Sequence, residues 1–511
     1  MSVASTPMTE RPGGSMPSML QLAWATRRSG MLITVAVGAA TGLVAAVATP
    51  RGPVSSGDVL ATIVVSFVVG AVAGLLTGSR WAAIAVPLAA IVSFEVGRLP
   101  VEGPTVDAIS LGSTYGMIAF AVGRGFHALL AVVPMILGVP WGIEVARRLG
   151  RAGTRPIGMP GRVAIGAASA ALGVVTVAVA MPGSMTPILG PDGTPLAGSI
   201  AELATIRIGG HDQAVMIRGR DTDNPVVLYL AGGPGGTDLG AMRADVTLEQ
   251  EFVVATWEQR GTGKSYGAID PVDTLTLEQM VSDTIELTNH LRARFDEERI
   301  YLVGNSWGTL LGVLAAERHP ELYHAYIGTG QMVSPSETDR IFWADTIDWA
   351  EEQGDDRLAA ELWANGPPPY ADLVRYEPVL AHEHDWNPYP ELDVDREMPG
   401  NLFVPENGII DRVNGLRGLV DTFATLYPQI QQIDLRVDAP RLEVPVYLIT
   451  GVHEARGRAV PAAEWFDLLD APAKEQLKFE HSGHRPLFEE PGPFAAVMAR
   501  IRYETYPAGG G

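Results

Sequence analysis

The pattern of apolar and polar positions changes character near residue 183. Before it, apolar residues run almost unbroken over about 31–49, 59–78, 81–97, 116–143 and 162–181. Most of these runs reach the roughly 20 residues that a helix needs to cross a bilayer. The run at 81–97 is shorter, is interrupted by Pro87 and is closed by Glu95, so the pattern allows four spans or five. The first run ends in Ala46-Val47-Ala48, faintly like a cleavage site, but further apolar runs follow at once and a retained span is expected. A polar stretch rich in Ser, Pro and Met, residues 1–27, precedes the runs and reads as a disordered tail.

Beyond residue 200 the groups shorten. Strand-length runs fall at 203–208, 214–218, 225–230, 252–257, 299–303, 324–328, 445–450 and 476–480, with helical stretches at 275–295, 307–318, 461–469 and 491–503 between them. Strand and helix in alternation imply a mostly parallel sheet flanked by helices. Over about 332–440 the alternation stops, and amphipathic segments such as 341–352 and 357–363 are separated by Pro-rich turns. The expected layout is a tail over 1–27, an all-α transmembrane bundle of about five helices over 28–182 and a Gly- and Pro-rich linker over 183–200. An α/β core over 201–331 and 441–505 follows, with a helical cap inserted over 332–440.

Charge adds a direction to this layout. Residues 1–184 hold 12 arginines against 6 acidic residues, a net of +6, so the remainder carries −27 to reach the total of −21. An acidic surface argues against nucleic acid and against docking on anionic lipid. Arg147, Arg148, Arg151, Arg155 and Arg162 cluster before the last apolar run, whereas the loop 98–115 carries Glu102 and Asp107. By the positive-inside rule the arginine-rich loop is cytoplasmic, and Arg27 and Arg28 keep the N-terminus on the same side. The chain beyond about 185 is then expected outside the cytoplasm, at a multi-pass cell membrane. Arg124 and His127 lie at the edge of the fourth run and read as interfacial groups. Only three lysines accompany 34 arginines, a bias read as genomic composition. The chain has no cysteine, which excludes thiol catalysis, disulfides and Cys-based metal sites. No metal or cofactor is called for.

The chemistry concentrates in the second half. Gly304-Asn305-Ser306-Trp307-Gly308 follows the apolar run 300–303 and precedes a helical stretch. That is the strand, sharp turn and helix in which a G-x-S-x-G nucleophile elbow presents its serine. A serine hydroxyl needs a base, and the base an orienting acid, in the chain order serine, acid, histidine of the α/β-hydrolase fold. The run ending at Thr450 leads into Gly451-Val452-His453-Glu454, which places Glu454 as the acid. The strand at 476–480 leads into His481-Ser482-Gly483-His484, which places His484 as the base, with His481 behind it. Backbone donors for the oxyanion are expected at Trp307, directly after the nucleophile, and at Gly233, in the glycine-rich loop 231–236.

Together these segments resemble the prolyl aminopeptidase (proline iminopeptidase) family of serine α/β-hydrolases. The likeness rests on Gly232-Gly233-Pro234-Gly235, on Glu258-Gln259-Arg260-Gly261-Thr262-Gly263-Lys264-Ser265, on Gly304-Asn305-Ser306-Trp307-Gly308 and on Gly483-His484-Arg485-Pro486. It spans about 200–505. Glu258, Ala231 and Glu454 stand where the family usually has Asp, His and Asp. The resemblance implies a peptidase acting on short peptides with a free N-terminal proline or other small residue, its amino group held by cap carboxylates. Glu337, Glu351 and Glu352 lie in the corresponding block. Two other readings stay open: an esterase or lipase acting on membrane-derived acyl chains, and a hydrolase fold without activity serving as a receptor or scaffold. The expected partners are a small peptide or acyl substrate and the lipid bilayer, with no nucleic acid.

Overall fold

A computed structural model describes residues 24, 26–107, 109–152, 154, 156–390 and 400–506. The tail expected over 1–27 lies almost wholly outside these residues, as does Arg155. The chain forms two compact units. One comprises the described parts of 1–52, 57–100 and 127–177, and the other comprises 53–56, 101–126 and 178–506.

The first unit is helical. Its helices are α1 (Arg27–Ala48), α2 (Ser56–Thr77), α3 (Ala82–Gly97), the later part of α4 (Thr114–Arg148) and nearly all of α5 (Met159–Ala180). Four of them, α1, α2, α4 and α5, are long and apolar enough to cross a membrane, while α3 is the shorter apolar helix expected around Pro87. Glycines at i, i+4 spacing bring the backbones together. A Cβ on Gly42 would lie 2.1 Å from the Ala90 carbonyl, one on Gly74 2.1 Å from that of Val139, and one on Gly142 1.8 Å from that of Ala71. Small residues repeated every fourth position are what helices use to associate where solvent supplies no hydrophobic drive. Large apolar side chains such as Leu32, Val64, Leu88 and Val174 point outward and are exposed.

The second unit is built on an eight-stranded sheet in the order β1-β2-β4-β3-β5-β6-β7-β8. The strands are β1 (Ile200–Ile208), β2 (His211–Gly219), β3 (Val226–Leu230), β4 (Val253–Trp257), β5 (Ile300–Asn305), β6 (Tyr323–Thr329), β7 (Val446–Gly451) and β8 (Lys474–Phe479). β1 and β2 form an antiparallel hairpin, β2 pairs antiparallel with β4, and every later pairing is parallel. The central strands are buried on both faces, which is why they read as continuous apolar runs instead of alternating ones.

Helix α6 (Leu277–Phe295) opens where the Thr276 side chain accepts from Gln279 N and closes at Asp296, which takes a left-handed conformation (φ 55°). Helix α7 (Trp307–Arg318) follows β5 and is buried along almost its whole length. The cap contributes α8 (Pro335–Gln353), α9 (Asp356–Asn365), the single turn α10 (Glu383–Trp386) and α11 (Ile409–Leu426). Helix α12 (Arg456–Leu468) leaves the β7 loop, and α13 (Pro491–Thr505) closes the domain. The parallel strands all aim their carboxyl ends at the same edge of the sheet, and the cap enters the chain at that edge, after β6.

Candidate active site

At the end of β5 the backbone reverses through Ser306, whose φ of 51° and ψ of −121° no other described non-glycine residue approaches except Asp296 in φ. A left-handed φ at a serine is strained and persists only where its surroundings hold it. Here Ser306 N donates to the Thr329 carbonyl (3.0 Å), and Asn305 Nδ2 donates to Thr329 Oγ1 (3.0 Å). The glycines on either side make the turn feasible. A Cβ on Gly304 would fall 2.6 Å from the Gly308 carbonyl, and one on Gly308 2.1 Å from that of Leu230.

The expected base and acid follow β8 and β7, farther along the sheet from β5. His484 Nδ1 lies 2.9 Å from Glu454 Oε2. Its imidazole rests against Gly330, where a Cβ would stand 2.7 Å from Nδ1, and its carbonyl accepts from Asn305 Nδ2 (3.2 Å). His484 is therefore lodged beside the 329–330 turn that also takes the Ser306 amide. His481 points elsewhere: its side chain is exposed and its amide donates to Glu490. His453 stacks on Tyr389, centroids 5.5 Å apart.

Glu454 is almost fully buried. Burial raises its carboxyl, but Arg458 and His484 outweigh it and bring the pKa down to about 2. Arg458 Nε donates to Glu454 Oε1 (2.8 Å), and Ala455 N donates to the same oxygen (3.0 Å). The other edge of the guanidinium grips Glu383, on α10 of the cap, and its face lies over Phe342 at 4.7 Å. The cap therefore reaches the acid through Arg458. The same segment continues with Asn387, whose side chain donates to the His453 carbonyl (2.9 Å), and with Tyr389, whose ring fills the space beside Gly483. Glu489 then accepts from both Tyr389 Oη and Gly483 N, each at 2.7 Å.

The glycine-rich loop after β3 sits over the elbow, since a Cβ on Gly232 would be 3.4 Å from that of Ser306. Gln259 connects the two, donating to the Ala231 carbonyl (3.1 Å) and accepting from the Trp307 indole (2.9 Å). Asp238 connects the loop with the histidine segment: it accepts from Tyr229 Oη (2.7 Å) and Gly232 N (3.4 Å), and from Arg485 (2.6 Å). Glu258 is buried and its carboxyl pushed up by that burial, against hydrogen bonds from Thr237 and from Lys264 N.

Ser306, His484, Glu454, Trp307 and the Gly233 loop, expected from sequence, thus converge on one sheet edge. The three cap glutamates have other surroundings. Glu337 pairs with Arg436, in a cluster with Asp434 and Glu464. Glu351 accepts from Trp363, and both it and Glu352 are exposed. The residues that sequence reading passed over are Arg458 and Glu383; a cation four residues after an acid carries no signal of a buried network.

Comparison with known proteins bears on the same region. The family described as Serine aminopeptidase, S33 matches residues 243–360. A protein of Bacillus subtilis named Probable aminopeptidase YbaC is 30% identical over 314 residues, which cover 59% of this chain and 96% of that protein. A Putative carbamate hydrolase RutD of Enterobacter cloacae is 26% identical, over 54% of this chain and 90% of its own length. Among solved structures, a proline iminopeptidase-related protein from Thermus thermophilus superposes with a TM-score of 0.42 at 19% identity, covering 60% of this chain and 99% of its own.

Proposed function

This chain belongs to the proline iminopeptidase-like family of α/β-hydrolases, and we propose that Ser306, His484 and Glu454 are its nucleophile, base and acid. The observation that carries the reading is the Glu454–His484 hydrogen bond, made to a buried carboxylate and set against the same 329–330 turn that holds the Ser306 amide. Ser306 Oγ attacks the substrate carbonyl while the imidazole takes its proton and later returns it to the leaving group. Glu454 keeps the imidazole in the tautomer with a proton on Nδ1 and balances its positive charge. The Trp307 and Gly233 amides receive the developing oxyanion, each such donor being worth about 2.7–4 kcal/mol.

For the substrate we propose a short peptide with an unblocked N-terminal proline or other small residue. The motif resemblance and the aminopeptidase name of the Bacillus subtilis relative support this class. A second reading, an esterase on acyl chains, is favoured by one observation: Glu337 is already paired with Arg436, and Glu351 and Glu352 are exposed, surroundings that do not support a desolvated ammonium site built on these cap acids. One purified preparation separates the readings. A fluorophosphonate probe should label wild type but not Ser306→Ala, and turnover in that variant should fall by on the order of 10⁴-fold or more. Among a prolyl arylamide, its N-acetyl form and short- and long-chain nitrophenyl esters, the unblocked arylamide should have the highest kcat/KM. A long-chain ester in first place, with acetylation harmless, would replace the peptidase by the esterase.

We also propose that the helical unit anchors the enzyme in a membrane through five spans, with the hydrolase outside the cytoplasm. Parity supports five over four. Residues 53–56 and 101–126 both belong to the hydrolase unit, and only α2 and α3 separate them in the chain. Two segments packed in one domain share a side of the bilayer, so α3 crosses if α2 does, despite its 16 residues. A hydrophobic stretch this short is accommodated by local thinning of the bilayer.

A further inference from the structure

Two segments that hydropathy alone assigns to the membrane half are built into the hydrolase. They are Pro53–Ser56 and Val101–Phe126. Both close on one face of α11, that of Asn414, Arg417 and Asp421. Asn414 Nδ2 donates to the Val54 carbonyl (2.7 Å). Arg417, fully buried, donates through Nη1 to the Pro53 carbonyl (2.7 Å) and through Nε to the Val122 carbonyl (2.9 Å). Val122 belongs to a π-helical turn, Ala121–Gly125, of the kind that releases a carbonyl from the helix ladder. Asp421, also buried, accepts from Thr105 N (2.9 Å) and Thr105 Oγ1 (2.6 Å), and from Tyr266 Oη (2.6 Å). A little further along, the Glu377 carboxylate accepts from Thr114 N (2.6 Å) and Tyr115 N (2.9 Å), capping the start of α4.

The neighbouring stripe of α11 faces the catalytic loops. Thr422 Oγ1 donates to the Gly261 carbonyl (2.7 Å). Gly418 is packed so closely that a Cβ on Gly235 would lie 2.3 Å from its carbonyl, and a Cβ on Gly418 itself 2.6 Å from that of Gly261. Gly235 is two residues from Gly233, in the loop over Ser306. One helix thus carries the two inter-helix segments on one stripe and the loop beside the nucleophile on the next, with no slack between them.

We propose that Pro53–Ser56 and Val101–Phe126 are positioning elements of the hydrolase, which act through Arg417 and Asp421 on α11 to hold the Gly233 loop at the distance that oxyanion stabilisation requires. The inference rests on the reading of that loop given above. Its physical basis is stiffness: the face is fixed by buried charged groups whose hydrogen bonds these segments largely supply, so displacing them would strip Arg417, a buried cation, of its Pro53 and Val122 acceptors and leave it Asn414 Oδ1 on its own helix. A shift of about 1 Å in a preorganised site can cost roughly 10²-fold in rate.

The test uses the full-length enzyme and three variants. Thr105→Val removes one donor to Asp421, Thr105→Ser retains it, and Arg417→Met removes the guanidinium. Thr105→Val should lower kcat at least severalfold with KM within a factor of two, Thr105→Ser should restore it, and Arg417→Met should fall further. An unchanged kcat in Thr105→Val, whatever its melting temperature does, overturns the proposal, as does an equal loss in Thr105→Ser. If Arg417→Met fails to fold, the Thr105 pair decides alone. Fluorophosphonate labelling of wild type and Ser306→Ala is run alongside. Loss of the serine dependence there discards the catalytic reading itself, whereas intact labelling with a silent Thr105→Val discards only the positioning role.

Discussion

Arg458 divides its guanidinium between two carboxylates, Glu454 of the proposed triad and Glu383 of the cap; Arg458 and Glu454 are buried and Glu383 is half-buried. With neutral His484 the cluster carries one net negative charge, and with the imidazolium formed during acyl transfer it carries none. The group is therefore better compensated during the reaction than before it. Replacing Arg458 by Met leaves two carboxylates close together without their shared cation, a change that for buried pairs costs about 3–5 kcal/mol. Thermal or denaturant unfolding should register that loss, and the double variant Arg458→Met/Glu383→Gln should recover much of it while kcat stays roughly tenfold down, since Glu454 keeps only the Ala455 amide to orient its outer oxygen. An unperturbed melting temperature in Arg458→Met would dispose of the idea. The pH dependence has a definite sign. Glu454 sits at about 2 in the folded enzyme, below its ordinary value of 4.5, so its stabilising contribution is complete above about 4.5 and is lost as pH falls towards 2. Ser306, His484 and Glu454 were legible because each follows a strand-length apolar run in a required order. Arg458 was not, because an acid and an arginine at i, i+4 usually make an exposed helix pair.

The cap is the element that sequence described least well. Its helices were visible as amphipathic segments, and α8 and α9 enclose the expected ones with wider ends. Which of its acids matter was not visible, because exposed and buried carboxylates look alike in a chain this acidic. The eight strands were all anticipated, the central β3, β4 and β5 because parallel strands buried on both faces leave unbroken apolar runs. Helix α12 begins at Arg456, five residues before the expected start, because Pro461 reads as a helix beginning while it lies inside the helix. Within the cap, Asp339 on α8 is the instructive carboxylate. It accepts from Tyr427 Oη (2.6 Å) and Gln431 Nε2 (3.2 Å), and burial pushes its pKa up to about 7 in spite of those bonds. Among the described residues Gln431 Oε1 has no hydrogen-bond partner; turning that amide by 180° would let it accept a hydrogen bond from the protonated Asp339 carboxyl. A carboxyl raised in the folded state binds its proton more tightly there than in the unfolded chain. Stability should therefore decline as pH rises from about 4 to about 7 and level off above that. Asp339→Asn should flatten this slope in unfolding curves collected across the range, with the greatest relative gain at pH 7 and above. A slope that survives the substitution would assign the titration to another group.

At the scale of the whole chain, hydropathy found the apolar helices but drew a single boundary where the fold draws several. It could not do otherwise, because Thr105, Val122 and Pro53 acquire their meaning only from Arg417 and Asp421, some 300 residues later. The consequence is topological. If the helices span a bilayer, the segments 53–56 and 101–126 and the domain beyond 178 face one compartment, and the arginine-rich stretch around 147–151 faces the other. The absence of native cysteine makes this directly measurable, since a single introduced thiol reports its own side of the membrane. Gly112→Cys has open space around it, Leu149→Cys replaces an exposed side chain after α4, and Tyr503→Cys replaces one that is 91% exposed on α13. In intact spheroplasts an impermeant maleimide should modify positions 112 and 503 alike and reach 149 only after permeabilisation. Modification of 149 with protection of the other two would invert the orientation while keeping the five-span parity. Opposite behaviour of 112 and 503 would break the parity itself, and with it the packing of the inter-helix segments against α11, because no segment can brace a catalytic loop across a bilayer.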